Sequence, residues 1–230
     1  MLIEVWGPTA SFTMPAKKDE PYSFPMITPS AAVGVLESIY KHPWMEWVID
    51  RIYCISPYSD ERLTYQVRSL KNRMNAQAIA DAYCGKKTLP VHETDRTLQA
   101  RSVLRDVHYV IDAHFNILED VAIDMGLTLK QACDKAYAMS TRRIANGQSY
   151  RTPYLGSNEN EAFFAPFEGV PQCDPSWVGT KEICGMPYGF RETDTGRKGI
   201  FFKAEVVNGV LDLVEWRKKN WKKVLEGGNI

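Results

Sequence analysis

SVLRDVHYVIDAHFNI, residues 102–117, reads as one long β-strand. Side chains alternate between the two faces of a strand. One face carries Val103, Val107, Tyr109, Ile111, Ala113, Phe115 and Ile117. The other mixes Leu104 and Val110 with Asp106, His108, Asp112 and His114. A strand with one wholly apolar face has to be covered by other elements, so the flanking sequence is read for what covers it.

On the C-terminal side, Thr128 followed by Gln131 forms a capping box that opens a helix with Leu129, Ala132, Cys133 and Ala136 on its apolar side. Gly147 is its natural stop. Ala162 to Phe167 supplies an edge strand before Pro171. On the N-terminal side, Leu2 to Trp6 alternates as a first strand. Ser30 is a fitting N-cap for a helix with Ala32, Val33, Leu36 and Ile39 at helical spacing. Pro43 ends that helix, placing Tyr40, Lys41 and His42 in its last turn. Trp47 to Ile55 is rich in β-branched and aromatic residues and gives the second strand. Between it and the long strand, Ser56 to Gln99 is highly charged and lacks a sustained apolar period, which predicts an inserted arm.

The resulting order, βαββαβ, predicts an α+β fold: a ferredoxin-like core of the RNA-recognition (RRM) type with an arm or thumb inserted at 56–99. This core spans residues 1–168. Residues 169–230 form a smaller β-rich segment, with a turn at Gly185 to Gly189 and a hairpin from Phe201 to Leu213 that reverses at Asn208-Gly209, a type I′ signal.

Composition narrows the function. The 230 residues carry 28 Lys+Arg against 28 Asp+Glu, so no global field draws the chain to nucleic acid or membrane. That disfavours a free-standing high-affinity nucleic-acid binder and leaves room for a subunit of a larger complex. The longest uncharged stretch, Pro21 to Leu36, holds three prolines and cannot span a membrane. Five cysteines without a CxxC pair fit reduced thiols and a cytoplasmic protein. His108 and His114 lie roughly 20 Å apart along a strand, too far to share a metal ion, so neither metal nor cofactor is expected. Phosphate-binding glycine runs and GxSxG are absent from the sequence.

The suggestive segment is RRIANGQSYRTPYLG, residues 142–156. Arg142 and Arg143 finish a helix, and Tyr150, Arg151 and Tyr154 follow on a loop. Guanidinium groups meet phosphates and aromatic rings stack on splayed bases, so this mixture suits single-stranded RNA. Two arginines that merely complement a helix C-terminus are the equally weighted alternative. The basic tail from Arg217 to Lys223, with Trp216 and Trp221, reads as a solvated helix face.

Together with VWGPTASFT near the start, PSAAVGVLESIYKHP, LRDVHYVIDAHF and FFKAEVVNG, these pieces occur in an order that resembles the CRISPR-associated Cas-five family of RAMP proteins, in its subtype I-C form. The likeness covers roughly residues 1–210. It implies a subunit that holds the 5′ handle of the CRISPR RNA in the Cascade complex, beside the backbone subunits and the large subunit. It also implies an endoribonuclease that cuts precursor CRISPR RNA without metal, leaving a 2′,3′-cyclic phosphate and a 5′-hydroxyl. Target DNA would be met only within the complex, through base pairing. The family's catalytic set is a tyrosine ending the first helix and an adjacent Lys-His pair in the second. The tyrosine falls on Tyr40 and the lysine on Lys135, but the histidine position is Ala136. His42 is a poor substitute on a continuous helix, where it would point about 200° away from Tyr40. RNA contacts are expected from Arg142, Arg143, Tyr150, Arg151 and Tyr154, and from the arm residues Lys71, Arg73, Lys86 and Lys87. Subtype favours a nuclease; Ala136 favours a non-catalytic, architectural RNA-binding subunit.

Overall fold

The computed structural model describes residues 1–15, 22–58, 63–70, 76–86, 96–193 and 196–226. Its axis is strand β4, Arg96–Ile117, longer than the sequence pattern indicates. Strand β1 (Leu2–Ala10) pairs along one side of β4, from Leu2 opposite Asp112 to Ala10 opposite Leu104. Strand β2 (Met45–Cys54) pairs along the other, from Met45 opposite Ile117 to Cys54 opposite Tyr109. The first residues of β4 leave this sheet region and pair with β3 (Leu63–Leu70). The arm at 56–99 is therefore partly a hairpin extension of the central strand, and it also carries helix α2 (Ala76–Tyr83).

Strand β5 (Phe163–Pro166) adds to the free side of β1. On the β2 side follow β8 (Val210–Asp212), β7 (Gly196–Val207) and β6 (Thr180–Thr193). The strand order is β5-β1-β4-β2-β8-β7-β6, and each pairing is antiparallel. Two short elements, helix α3 (Glu119–Asp124) and a 3-10 turn at Pro175–Trp177, complete the connections together with α5 (Leu213–Glu226). The chain is thus a mixed α and antiparallel β protein.

The alternation read in β4 has a physical outcome: Val107, Tyr109, Ile111 and Ala113 enter the core with Leu36 and Ile39 of α1 (Pro29–Ile39) and Ala132 and Ile144 of α4 (Leu129–Ala145). Fully burying a side chain the size of Ile111 contributes roughly 1.5–3 kcal/mol. Arg217 docks α5 on β2 through the Asp50 carboxylate, and Trp216 packs on Phe202 with ring centroids 4.7 Å apart. So part of the basic tail is structural. Among the described residues, no helix is long and apolar enough to cross a membrane.

Several local expectations need correction. The N-cap of α1 is Thr28, whose Oγ1 accepts from the Ala31 amide, because Pro29 can occupy the first turn, where a backbone N–H is not needed. The helix stops at Ile39, and Tyr40 is already extended with φ −150° and ψ 124°. In α4 the capping box and the stop at Gly147 (φ 60°) are present, but Leu129 is exposed and the buried stripe is Ala132, Ala136, Ser140 and Ile144. Gly185 to Gly189 is not a free turn. It lies inside β6, where two register shifts against β7 accommodate its glycines and proline. The Asn208-Gly209 reversal has both residues at positive φ, as a type I′ turn requires.

Candidate functional site

Two helices meet at one end of the sheet, and the sequence chemistry gathers there. Arg143, in the last turn of α4, does not spend its charge on its own helix end. Its Nη1 donates to the Ile39 carbonyl at 2.7 Å, a free carbonyl at the C-terminus of α1, and its guanidinium lies 5.2 Å from the Tyr40 ring centroid. Arg142 is exposed. The Tyr40 ring is buried and its hydroxyl has no partner among the described residues. Burial raises the Tyr40 pKa and the Arg143 charge opposes that rise, so the side chain stays a phenol at neutral pH.

Beyond the extended Tyr40 the chain is no longer helical, and the Met45 amide closes a turn on the His42 carbonyl at 3.0 Å, which changes where His42 sits. Its ring packs on Trp44 at a centroid distance of 4.4 Å. It also lies within electrostatic range of Lys135 on α4. Burial, and then the Lys135 charge, hold its pKa below the ordinary histidine value, leaving the imidazole neutral at pH 7. Lys135 itself is exposed, whereas Ala136 beside it is fully buried in the α4 stripe. Arg143 thus lies against Tyr40, and Lys135 lies within electrostatic range of His42, two residues further along the same segment. The sequence reading disfavours His42 in this place. Pro43 does lie beyond the helix end, but the end falls at Ile39 rather than at His42, and the residue before a proline is disfavoured in the α region.

Three polar atoms in this short segment are buried without a hydrogen-bond partner among the described residues: Tyr40 Oη, His42 Nδ1 and Trp44 Nε1. Each such group costs about 1–3 kcal/mol, so their concentration between residues 40 and 44 marks a place where stability is given up.

The loop after α4 folds back along α1. The amides of Tyr150 and Arg151 both donate to the Ser38 carbonyl, at 2.8 and 3.2 Å. Tyr150 is exposed with the Arg151 guanidinium 5.8 Å from its ring centroid. Further along, Tyr154 is half-exposed and lines a groove with Ser30, Val33, Gly34 and Phe190, on the outer side of α1. The loop thus makes an open, arginine- and tyrosine-bearing margin from Tyr40 along the whole helix. Lys86 is exposed just after α2. Lys71, Arg73 and Lys87 lie outside the described residues.

The histidines of β1's neighbour β4 are engaged elsewhere: His108 with Glu4 at 3.3 Å and His114 with Asp50 at 2.6 Å.

Comparison with known proteins gives a consistent result. The CRISPR pre-crRNA endoribonuclease Cas5d of Mannheimia succiniciproducens is 33% identical over 221 residues, covering 92% of this chain and 93% of its own length. The protein of the same name from Thermus thermophilus is 33% identical over 171 residues, covering 73% of this chain and 64% of its own. A crystal structure of a CRISPR-associated protein superposes with a TM-score of 0.64 at 21% identity, over 92% of this chain and 89% of that one, a likeness of fold. A family model described as CRISPR-associated protein (Cas_Cas5) matches residues 1–183. With that match over most of its length, the chain belongs to the CRISPR-associated Cas5 family.

Proposed function

We propose that this chain is a subtype I-C subunit that binds precursor CRISPR RNA, cuts it within the repeat and retains the 5′ handle. The observation that carries the reading is Arg143 of α4 seated against Tyr40 at the end of α1, with Lys135 of α4 in electrostatic range of the same 40–44 segment and the Tyr150–Tyr154 loop beside it. A relative one-third identical along nearly its whole length carries the name of a pre-crRNA endoribonuclease, which supports the same reaction here.

The chemistry follows from the groups present. The ribose 2′-hydroxyl loses its proton and its oxygen attacks the adjacent phosphorus. Charge builds on the phosphorane oxygens, the bond to the 5′-oxygen breaks, and that oxygen takes up a proton. The products are a 2′,3′-cyclic phosphate and a 5′-hydroxyl, and no metal is needed for the balance. In this reading the Lys135 ammonium stabilises the phosphorane. The partnerless Tyr40 hydroxyl is available to a phosphate or ribose oxygen that enters the α1–α4 seam. Arg142, Arg151, Tyr150 and Tyr154 hold handle nucleotides by phosphate contact and stacking.

The same reading interprets β1-α1-β2-β4-α4-β5 as a ferredoxin-like core, supported by the strand order β5-β1-β4-β2. Residues 169–230 are its β-rich appendage, beginning after β5. The arm at 56–99, with Lys71, Arg73, Lys86 and Lys87, contacts the handle or a neighbouring Cascade backbone subunit. The large subunit and, through base pairing, target DNA are met in the assembled cytoplasmic complex.

Ala136 favours a second reading, an architectural subunit that binds the handle uncut. Incubating the full chain with a cognate repeat RNA in EDTA and analysing the ends distinguishes the two. One internal cut with a cyclic phosphate and a 5′-hydroxyl supports the nuclease; stable binding of intact RNA supports the alternative.

A further inference from the structure

The segment from Tyr40 to Trp44 brings to the site a titratable ring that the assignment of Tyr40 and Lys135 leaves unused. We propose that His42 supplies the imidazole of the cleavage site, taking the 2′-hydroxyl proton beside the Lys135 ammonium in place of a histidine at position 136. This rests on the nuclease reading above and names its missing base.

Three observations carry it. First, α1 ends at Ile39 and Tyr40 is extended, so His42 is freed from helical geometry and its side chain comes within electrostatic range of Lys135. Second, the ring is fixed rather than loose: it packs at 4.4 Å on Trp44, which is fully buried. Third, Nδ1 is buried with no partner among the described residues, while the side chain as a whole is half-exposed. In the neutral tautomer that carries its hydrogen on Nδ1, Nε2 is the nitrogen that can take a proton. Position 136, by contrast, points into the closed stripe of α4 beside Ala132 and Ser140.

The step balances. Nε2 of neutral His42 takes the 2′-hydroxyl proton, and the 2′-oxygen forms its bond to phosphorus. The bond from phosphorus to the 5′-oxygen breaks, and the Lys135 ammonium gives a proton to that oxygen. Solvent returns the proton from the imidazolium and restores the ammonium.

The charged groups around His42 are Lys135 on α4 and, on its own segment, Lys41, whose ammonium is held 2.8 Å from Glu37. A base works only when deprotonated. The cleavage rate therefore rises with pH through a midpoint below the ordinary histidine value of 6.5 and is flat near neutrality, because burial and Lys135 both disfavour the imidazolium. In Lys135→Gln the residual rate should show that midpoint at higher pH.

The test uses the full chain with repeat RNA in EDTA under single-turnover conditions. Its variants are His42→Ala and His42→Phe, the latter keeping a ring on Trp44. A repeat RNA lacking the 2′-hydroxyl at the cut site reads binding separately. The expected result is cleavage slowed about 100-fold or more in both variants, loss of the acid limb, and unchanged affinity for the uncleavable RNA. Wild-type cleavage rates in His42→Phe, or the same pH profile in His42→Phe as in the unmodified chain, would overturn the role of His42 and leave the nuclease reading standing. An inactive wild-type chain whose Ala136→His variant cuts would overturn both.

Discussion

Arg143 ties the site to the fold. Its hydrogen bond to the Ile39 carbonyl fastens the end of α1, and its guanidinium rests against the Tyr40 ring. A charge-assisted bond of this kind contributes about 1.5–3 kcal/mol. Arg143→Ala should lower unfolding free energy by about 2 kcal/mol in denaturant titration and weaken repeat-RNA binding as well; a variant as stable as the parent would show that the contact is incidental. Tyr40→Phe should do the opposite. Its buried hydroxyl has no partner to lose, so the variant should be more stable than the parent, by up to about 1–3 kcal/mol, while cleavage falls by about 10²–10⁴-fold. Tyr40 and Lys135 were named through the family resemblance, and Arg143 through the arginine- and tyrosine-bearing segment that follows α4. The environment of His42 was not legible in the sequence, because it depends on the helix stopping three residues earlier, at Ile39, and on α4 packing beside that stop.

At the scale of elements, the loop from Gly147 to Gly156 is pinned at both ends. Gly156 has φ +87°, and a Cβ there would sit 2.0 Å from the Ser11 carbonyl oxygen, which leaves no room for any other residue. Nearby, the Ser11 amide donates to the Leu155 carbonyl at 3.0 Å. Gly156→Ala must strain this junction and shift Tyr154 away from α1. The expected loss is at least about 1–3 kcal/mol with weaker RNA binding; an unchanged melting temperature would contradict the packing. Elements fixed by short-range chemistry could be read in advance: the Thr128–Gln131 capping box, the Gly147 stop and the Asn208-Gly209 reversal. The bulged strand around Gly185 to Gly189 could not, since its register exists only against β7. Nor could the pairing of the first half of β4 with β3, which closes across the arm.

For the whole molecule, zero net charge means that RNA and partners are recognised by local clusters rather than by a general field. The arm, whose sequence carries Lys71, Arg73, Lys86 and Lys87, is the proposed site of such a cluster. Replacing Lys71, Arg73, Lys86 and Lys87 together by Ala should weaken co-purification of the complex while leaving the isolated chain folded, as read by circular dichroism. Unchanged assembly would remove the arm from the interface. The alternation in residues 102–117 foretold the central strand, but the joining of the C-terminal segment to the same sheet was not legible. It depends on Leu211 pairing with Ile52 and on Arg51 bonding Asp212 at 2.8 Å, contacts between residues far apart in sequence.

The central claim is that this chain cuts RNA although Ala136 stands where its family's histidine is expected. The most direct measurement is single-turnover cleavage of a 5′-labelled cognate repeat RNA in EDTA by the unmodified chain, Tyr40→Phe and Ala136→His side by side. The account predicts one cut by the unmodified chain, slowed about 10²–10⁴-fold in Tyr40→Phe. Intact RNA bound by the unmodified chain, with cleavage only by Ala136→His, would contradict it and leave an RNA-binding subunit built on a silenced nuclease.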